Sequence, residues 1–422
     1  MSSSDDDNPF AALMSSSDYE GGEEDDEGEE KKEIYIPPAP VIQNTPPPPP
    51  SKPKQDEPKE KDIDAEFMEL MQQQKKRETH NAPKREINDR LKFNVAQELI
   101  DRYDEQAFAD AAKIPKSAPY NKFINRRREW PSVVSSSYRV RELPGDKFEV
   151  TFTEYGLSCK KQFAKLEELR VQGSIIQDAL QILPIEPFCP QLLYPACNVA
   201  LFQREFNVAT DLALRLTWIL QQTLPTNFKP TKTIFVGEAA GAFQNLAAYI
   251  ATFCFRRGCY NTSAALWKFC MENFMDDQCA AGIAAAVPNL FAGDINFIER
   301  VYKSNRKVFN VPIQLIPDWS VCLSLLEKSD DRLKENLSIW RHCLLGEDLP
   351  ENTPDKLGSV EMLLKKRLDP YLKRDEVAER INKLSKEVEK GDRQKLVLGY
   401  AAFQGDIPVF QILEEAAMPV GS

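Results

Sequence analysis

The stretch from Ala239 to Phe274 constrains the chain most, because apolar residues recur at helical spacing on both sides of a single glycine. Phe243, Leu246, Ala247, Ile250, Phe253 and Cys254 form one stripe, and Leu266, Phe269, Cys270 and Phe274 resume the period after it. Between them, Arg256-Arg257-Gly258-Cys259-Tyr260 supplies cations at a helix end and a residue that tolerates positive φ. Thr262 is the expected cap of the second helix. Ala251 and Ser263 are small where two antiparallel helices must approach closely. With Trp267 in the second helix, the pattern is that of a tetratricopeptide-type hairpin, although Met275-Asp276-Asp277 stands where a proline would follow. One such hairpin cannot bury both of its faces, so it needs neighbours of the same kind.

Those neighbours are legible. Pro187 to Pro225 reads as a second hairpin, with Leu193, Ala196, Cys197 and Ala200 before a turn at Arg204 to Asn207, and Ala209, Ala213, Leu216 and Leu220 after it. Cys279 to Val287 followed by Gly293-Asp294-Ile295-Asn296-Phe297-Ile298 reads as a third, and Gly405-Asp406-Ile407-Pro408-Val409-Phe410 echoes it. Gly258, Gly293 and Gly405 are therefore the expected repeat turns, with aspartate capping the helix after the last two. Further helices are expected in Pro312 to Leu345 and Gly358 to Lys390. The fold class that follows is all-α, a tetratricopeptide-like α-solenoid over residues 157–422.

Two different regions precede it. Residues 1–82 read as a disordered acidic and Pro-rich tail. Its first thirty residues hold twelve acids and no bases. The formal net charge of −11 is thus carried by the tail, leaving the remainder at +1. The exception is 62–77, where Ile63, Phe67, Leu70 and Met71 share a helical face that ends in Lys75-Lys76-Arg77. Residues 83–156 form an N-terminal segment. Leu91, Val95, Leu99 and Ile100 are helically spaced, and Tyr138 to Thr153 alternates around Pro144-Gly145 as a β-hairpin would. Between these lies the cluster Arg126-Arg127-Arg128-Glu129-Trp130-Pro131. The arginines could meet phosphates with the indole stacked on a base, or the tryptophan could pack down while the arginines stay in water. Lys75, Lys76, Arg77, Arg126, Arg127, Arg128 and Trp130 are the candidate RNA contacts, with Lys365-Lys366-Arg367 and Lys373-Arg374 in reserve.

Catalytic chemistry finds little to work with. The two histidines are His80, in the tail, and His342, which reads as a capping or surface residue at a helix end. Cys254, Cys259, Cys270 and Cys279 resemble a metal set only loosely, since helical stripes already account for two of them. No glycine-rich loop precedes a Lys-Ser/Thr pair. The reading is a non-enzyme with no cofactor, metal or small-molecule substrate. Nine cysteines without a paired framework, and no membrane-length apolar run, place the expected compartment as cytoplasmic with nuclear residence also compatible.

Arg257-Gly258-Cys259 between two apolar helices, followed by Asp276-Asp277, resembles the transcription factor 25 / ribosome quality control complex subunit 1 family. Upstream agreement runs through Phe93-Asn94, Glu98-Leu99, Arg102-Tyr103, Trp130-Pro131, Ser137-Tyr138-Arg139-Val140, Phe152 to Tyr155 and Pro187 to Gln203. Downstream it includes Ile316-Pro317-Asp318-Trp319, so most of 62–369 is covered. The resemblance implies a non-catalytic adaptor of ribosome-associated quality control. It would join the stalled large ribosomal subunit to a Listerin-type E3 ubiquitin ligase, with extraction by a valosin-containing-protein type ATPase to follow. The lysine-rich tract usual after the acidic tail is represented here only by Lys52, Lys54, Lys59 and Lys61. Family members have also been described as transcriptional regulators, which leaves a nuclear transcription or chromatin role as the alternative. No basic region here runs into paired dimerising helices to support it.

Overall fold

Helical periodicity in the sequence becomes helix almost throughout the computed structural model, which describes residues 93–401 except 116–117, 120, 133–135, 171–182, 184–185, 227, 229–232, 278 and 309. The expectations for the tail 1–82, for the 62–77 helix with Lys75, Lys76 and Arg77, for His80 and for the Gly405 turn lie outside the described residues. The described residues open with α1 (Val95–Tyr103), capped by Asn94, and a single turn, α2 (Ala109–Ala112). The alternating stretch forms the hairpin β1 (Tyr138–Leu143) and β2 (Lys147–Phe152), with Gly145 at φ 80° and Asp146 at φ 56° in the turn. Then α3 (Glu154–Arg170) leads to α4 (Pro190–Phe202) and α5 (Phe206–Thr223).

The hairpin is not an isolated element ahead of the helices. A third strand, β3 (Ile234–Val236), pairs parallel with β2, giving a mixed sheet in the order β1-β2-β3. Its short sequence carries no alternation to announce it. What fixes it is Phe235, whose ring lies 5.2–6.2 Å from those of Phe148, Phe228, Phe243, Phe269 and Phe274. Asn273 holds the same place from the other side, accepting from the Phe235 amide at 2.7 Å and donating to Thr233 O at 2.6 Å. The fold is therefore predominantly helical rather than purely so.

The central pair is α6 (Ala240–Arg256) and α7 (Tyr260–Glu272). Ser263 Oγ donates to Ala251 O at 2.8 Å, the close approach that small residues allow. Beyond them come α8 (Ala281–Ala284), α9 (Ala286–Phe291), α10 (Ile295–Tyr302), a two-strand ribbon of β4 (Lys307–Val308) and β5 (Val311–Pro312), α11 (Pro317–Leu326), α12 (Asp331–Ile339) and α13 (Arg341–Leu345). The chain continues with α14 (Asp355–Leu372), α15 (Asp375–Ser385) and α16 (Gln394–Ala401). Successive pairs pack on one another: α5 on α6, α7 on α9, α9 and α10 on α11.

Three of the helix-to-helix turns share one hydrogen-bond pattern. A left-handed residue ends each first helix: Arg204 at φ 61°, Gly258 at 72° and Gly293 at 71°. The next amide then reaches back five residues, from Glu205 to Ala200 O at 2.8 Å, Cys259 to Cys254 O at 2.7 Å and Asp294 to Asn289 O at 2.9 Å. This satisfies carbonyls that a helix end leaves open. The glycine turns were legible in the sequence. The turn at Arg204 was expected from the hairpin pattern, but its left-handed backbone was not, because arginine carries no signal for positive φ.

Thr262 does not cap α7. It lies inside the helix, whose cap position is Cys259. The open amides of Asn261 and Thr262 are bound instead by the two carboxylate oxygens of Glu98, at 3.0 and 2.8 Å, from α1. Anionic oxygen at the positive end of the helix is doubly favoured.

Candidate functional site

The stretch Asn121 to Pro131 is held by the Gln221 side chain of α5 and by backbone carbonyls at the ends of α2 and α5. Gln221 Oε1 accepts from the amides of Phe123 (2.5 Å) and Ile124 (2.9 Å), and Asn121 donates to Leu224 O at 2.7 Å. Asn125 Nδ2 donates to Lys113 O at 2.5 Å. The loop is thus pinned at its base before the arginines begin.

The carboxylate of Asp211, on α5, then organises the cluster. Its Oδ1 accepts from Arg127 Nη1 at 2.7 Å and from the Trp130 indole Nε1 at 2.8 Å, while Oδ2 takes Arg215 Nε at 3.0 Å. Arg127 also lies 4.8 Å over the Phe108 ring, and Trp130 stands edge-on to Phe188 and Trp218 at 6.0 and 6.2 Å. Trp130 is 3% exposed. Its indole cannot stack on a base, which corrects its place among the RNA contacts. An indole N–H is comfortable in a core only with an acceptor, and Asp211 is that acceptor. Arg127 likewise belongs to the framework.

Of the six clustered residues Arg126, Arg128, Glu129 and Pro131 face water, and the two arginines are the cations among them. Arg126 is exposed and donates to the carbonyls of Trp130 and Pro131 at 2.8 and 2.9 Å, while Arg128 is exposed and makes no ion pair among the described residues. Lys113 is exposed beside them. The structure therefore divides the sequence cluster into an anchor (Arg127, Trp130) and a solvent-facing cationic pair (Arg126, Arg128). Asp211, Arg215 and Gln221 escaped the sequence reading. The available signal was Asp211 and Arg215 at i,i+4 on a helix otherwise lined with Leu, Ala and Ile.

The reserve clusters divide in the same way. Arg367 is buried against Asp318, and Arg374 lies 4.2 Å over Tyr371 and 5.4 Å over Phe291. Lys373 pairs with Asp369 at 2.6 Å, leaving Lys366 exposed. His342 sits in α13, and its Nδ1–H donates to Glu347 O at 2.5 Å, a loop-fixing contact. Cys254, Cys259, Cys270 and Cys279 are all buried, and burial pushes the Cys254 thiol well above its usual range. Among the described residues no three His, Cys, Asp or Glu side chains gather as a metal set. No described helix is long and apolar enough to cross a membrane.

No protein-family model, curated protein or solved structure matches the chain.

Proposed function

We propose that this chain is a non-catalytic α-solenoid adaptor of ribosome-associated quality control, which links stalled large ribosomal subunits to ubiquitination and extraction of the nascent chain. The observation that carries the reading is where the resemblance motifs meet. Glu98 caps α7 at Asn261 and Thr262, Tyr103 Oη donates to Arg257 O at 2.6 Å, and Arg102 lies 4.9 Å over Tyr260. Residues that carry the resemblance but lie some 150 positions apart therefore interlock as one framework. Asp277 and Trp319 do likewise, Asp277 accepting from the Ala281 and Gly282 amides at 2.7 and 2.8 Å and Trp319 donating to Gly282 O at 2.6 Å. The recurring left-handed turn at Arg204, Gly258 and Gly293 supports the repeat architecture.

In this reading the helical pairs are a scaffold for a Listerin-type ligase, and Arg126 with Arg128 offers cations to ribosomal RNA phosphates. Affinity purification with mass spectrometry after induced ribosome stalling tests it. Large-subunit proteins and a Listerin-type ligase are the expected catch. Recovery of chromatin components without either would overturn the adaptor reading.

A further inference from the structure

Three of the large apolar side chains left most open to solvent stand on two adjoining elements far from the arginine loop in sequence. Phe202, the last residue of α4, is 75% exposed, Val208 in the first turn of α5 is 48% exposed, and Tyr103 is 48% exposed at the end of α1. Arg257 joins the two elements. Its guanidinium lies 4.5 Å from the Phe206 ring centroid and 5.0 Å from that of Tyr103. Tyr103 is further fixed by its hydrogen bond to Arg257 O.

None of this exposure serves the fold. The turn through left-handed Arg204 is itself polar, Gln203-Arg204-Glu205, yet the helix ends beside it present a phenylalanine and a valine to solvent. An aromatic ring held in place by a hydrogen bond and a cation loses little freedom on binding.

The charge around the edge is mixed with an excess of acid. Five carboxylates (Glu98, Asp101, Asp104, Glu105 and Glu205) stand against three guanidiniums (Arg102, Arg204 and Arg257). Glu98 is committed to the α7 amides and Glu105 to Arg257. Asp101 and Asp104 accept from the amides of Gln97 and Gln106, and with Glu205 they make no ion pair among the described residues.

We infer that this edge is a protein-docking surface whose partner is a basic peptide segment presenting an apolar anchor. The anchor seats against Phe202, Val208 and Tyr103, and its flanking lysines or arginines face Asp101, Asp104 and Glu205. The carboxylates disfavour phosphate, so this surface and the Arg126/Arg128 loop select opposite partners. The inference stands apart from the ribosome reading, because it rests on exposed apolar side chains and carboxylates rather than on cations.

A short synthetic peptide of lysines and leucines with a central photoreactive benzoylphenylalanine is the probe, beside a twin with glutamate for lysine. Irradiation with the full chain should label residues 101–104 and 202–208. The glutamate twin should label them about tenfold less. Phe202→Ser with Val208→Ser should abolish that labelling without changing the melting temperature, since both side chains are exposed. Asp101→Asn with Asp104→Asn, which keeps a residue tolerant of the left-handed backbone at 104, should weaken it about tenfold through charge alone. Labelling confined to the acidic first thirty residues, equal labelling by both peptides, or labelling unchanged by Phe202→Ser with Val208→Ser would each overturn the inference.

Discussion

Asp318 of α11 and Arg367 of α14 form an ion pair closed to water on both sides, the carboxylate fully buried and the guanidinium 2% exposed. Burial pushes the Asp318 carboxyl above its usual range despite the neighbouring cation, and its second oxygen has no hydrogen-bond partner among the described residues. Such a pair contributes little net stability while it is whole, but it is costly to break. Arg367→Leu should therefore cost about 3–5 kcal/mol, whereas Asp318→Leu combined with Arg367→Met should recover most of that loss. Denaturant unfolding of the two variants checks this. A single variant as stable as the double would show that the pair is not load-sharing between α11 and α14.

A second buried acid makes stability depend on pH. Glu361 is fully buried against Arg393, and burial raises its pKa to about 7 despite that cation. The folded chain thus takes up a proton below pH 7 that the unfolded chain accepts only near pH 4.3. The resulting stability is present at low pH and is lost as pH rises through 7. Its size is on the order of 3–4 kcal/mol. Glu361→Gln should flatten the fall in melting temperature between about pH 5 and pH 8 relative to wild type. Parallel profiles for the two proteins would mean that Glu361 stays ionised in the fold.

The shared turn pattern predicts opposite effects at two of its left-handed positions. Gly258 sits at φ 72°, and a Cβ there would lie 2.8 Å from Tyr103 Oη and 3.1 Å from Arg102 Nη1. Gly258→Val should cost about 1–3 kcal/mol in backbone strain and also push α1 off the turn. Arg204 already bears the left-handed penalty, so Arg204→Gly should stabilise the protein by about 1 kcal/mol. Calorimetry reads both. An unchanged melting point for Gly258→Val would remove the turn from the list of constraints on the fold.

The reason some of this was legible and some was not is local. Gly258 and Gly293 mark their turns because a missing Cβ is a local property of one residue. The α6 and α7 stripes were legible because burial on one face imposes a period on neighbours in sequence. Glu98 at the N-terminus of α7, Phe235 among five rings and Asp211 under Trp130 were not, because each relationship joins distant segments and leaves no period behind. Trp130 illustrates the limit. Beside three arginines it reads equally as a stacking platform or as an anchor, and only the position of Asp211 decides. The Thr262 cap failed for the same reason, since the better acceptor came from another helix.

The division of the arginine loop yields the last prediction, because anchor and surface should respond to different measurements. Asp211→Ala would strand the Trp130 indole N–H together with Arg127 and Arg215, and should cost about 2–4 kcal/mol. Arg127→Glu would set one carboxylate against another and should destabilise comparably. Arg126→Glu with Arg128→Glu leaves the Asp211 anchor whole and loses only the Arg126 contacts to the Trp130 and Pro131 carbonyls, so the stability cost should stay at about 1 kcal/mol. If these two arginines meet ribosomal phosphates, that same pair should weaken sedimentation with large subunits. It should also reduce the steepness of the salt dependence by roughly two phosphate contacts. Trp130→Phe, which cannot bond Asp211, should lower stability by about 1–2 kcal/mol without altering the salt slope. A double variant that sediments like wild type at every salt concentration would leave Arg126 and Arg128 as solvated side chains. The phosphate contact would then have to come from Lys366 and its neighbours on α14.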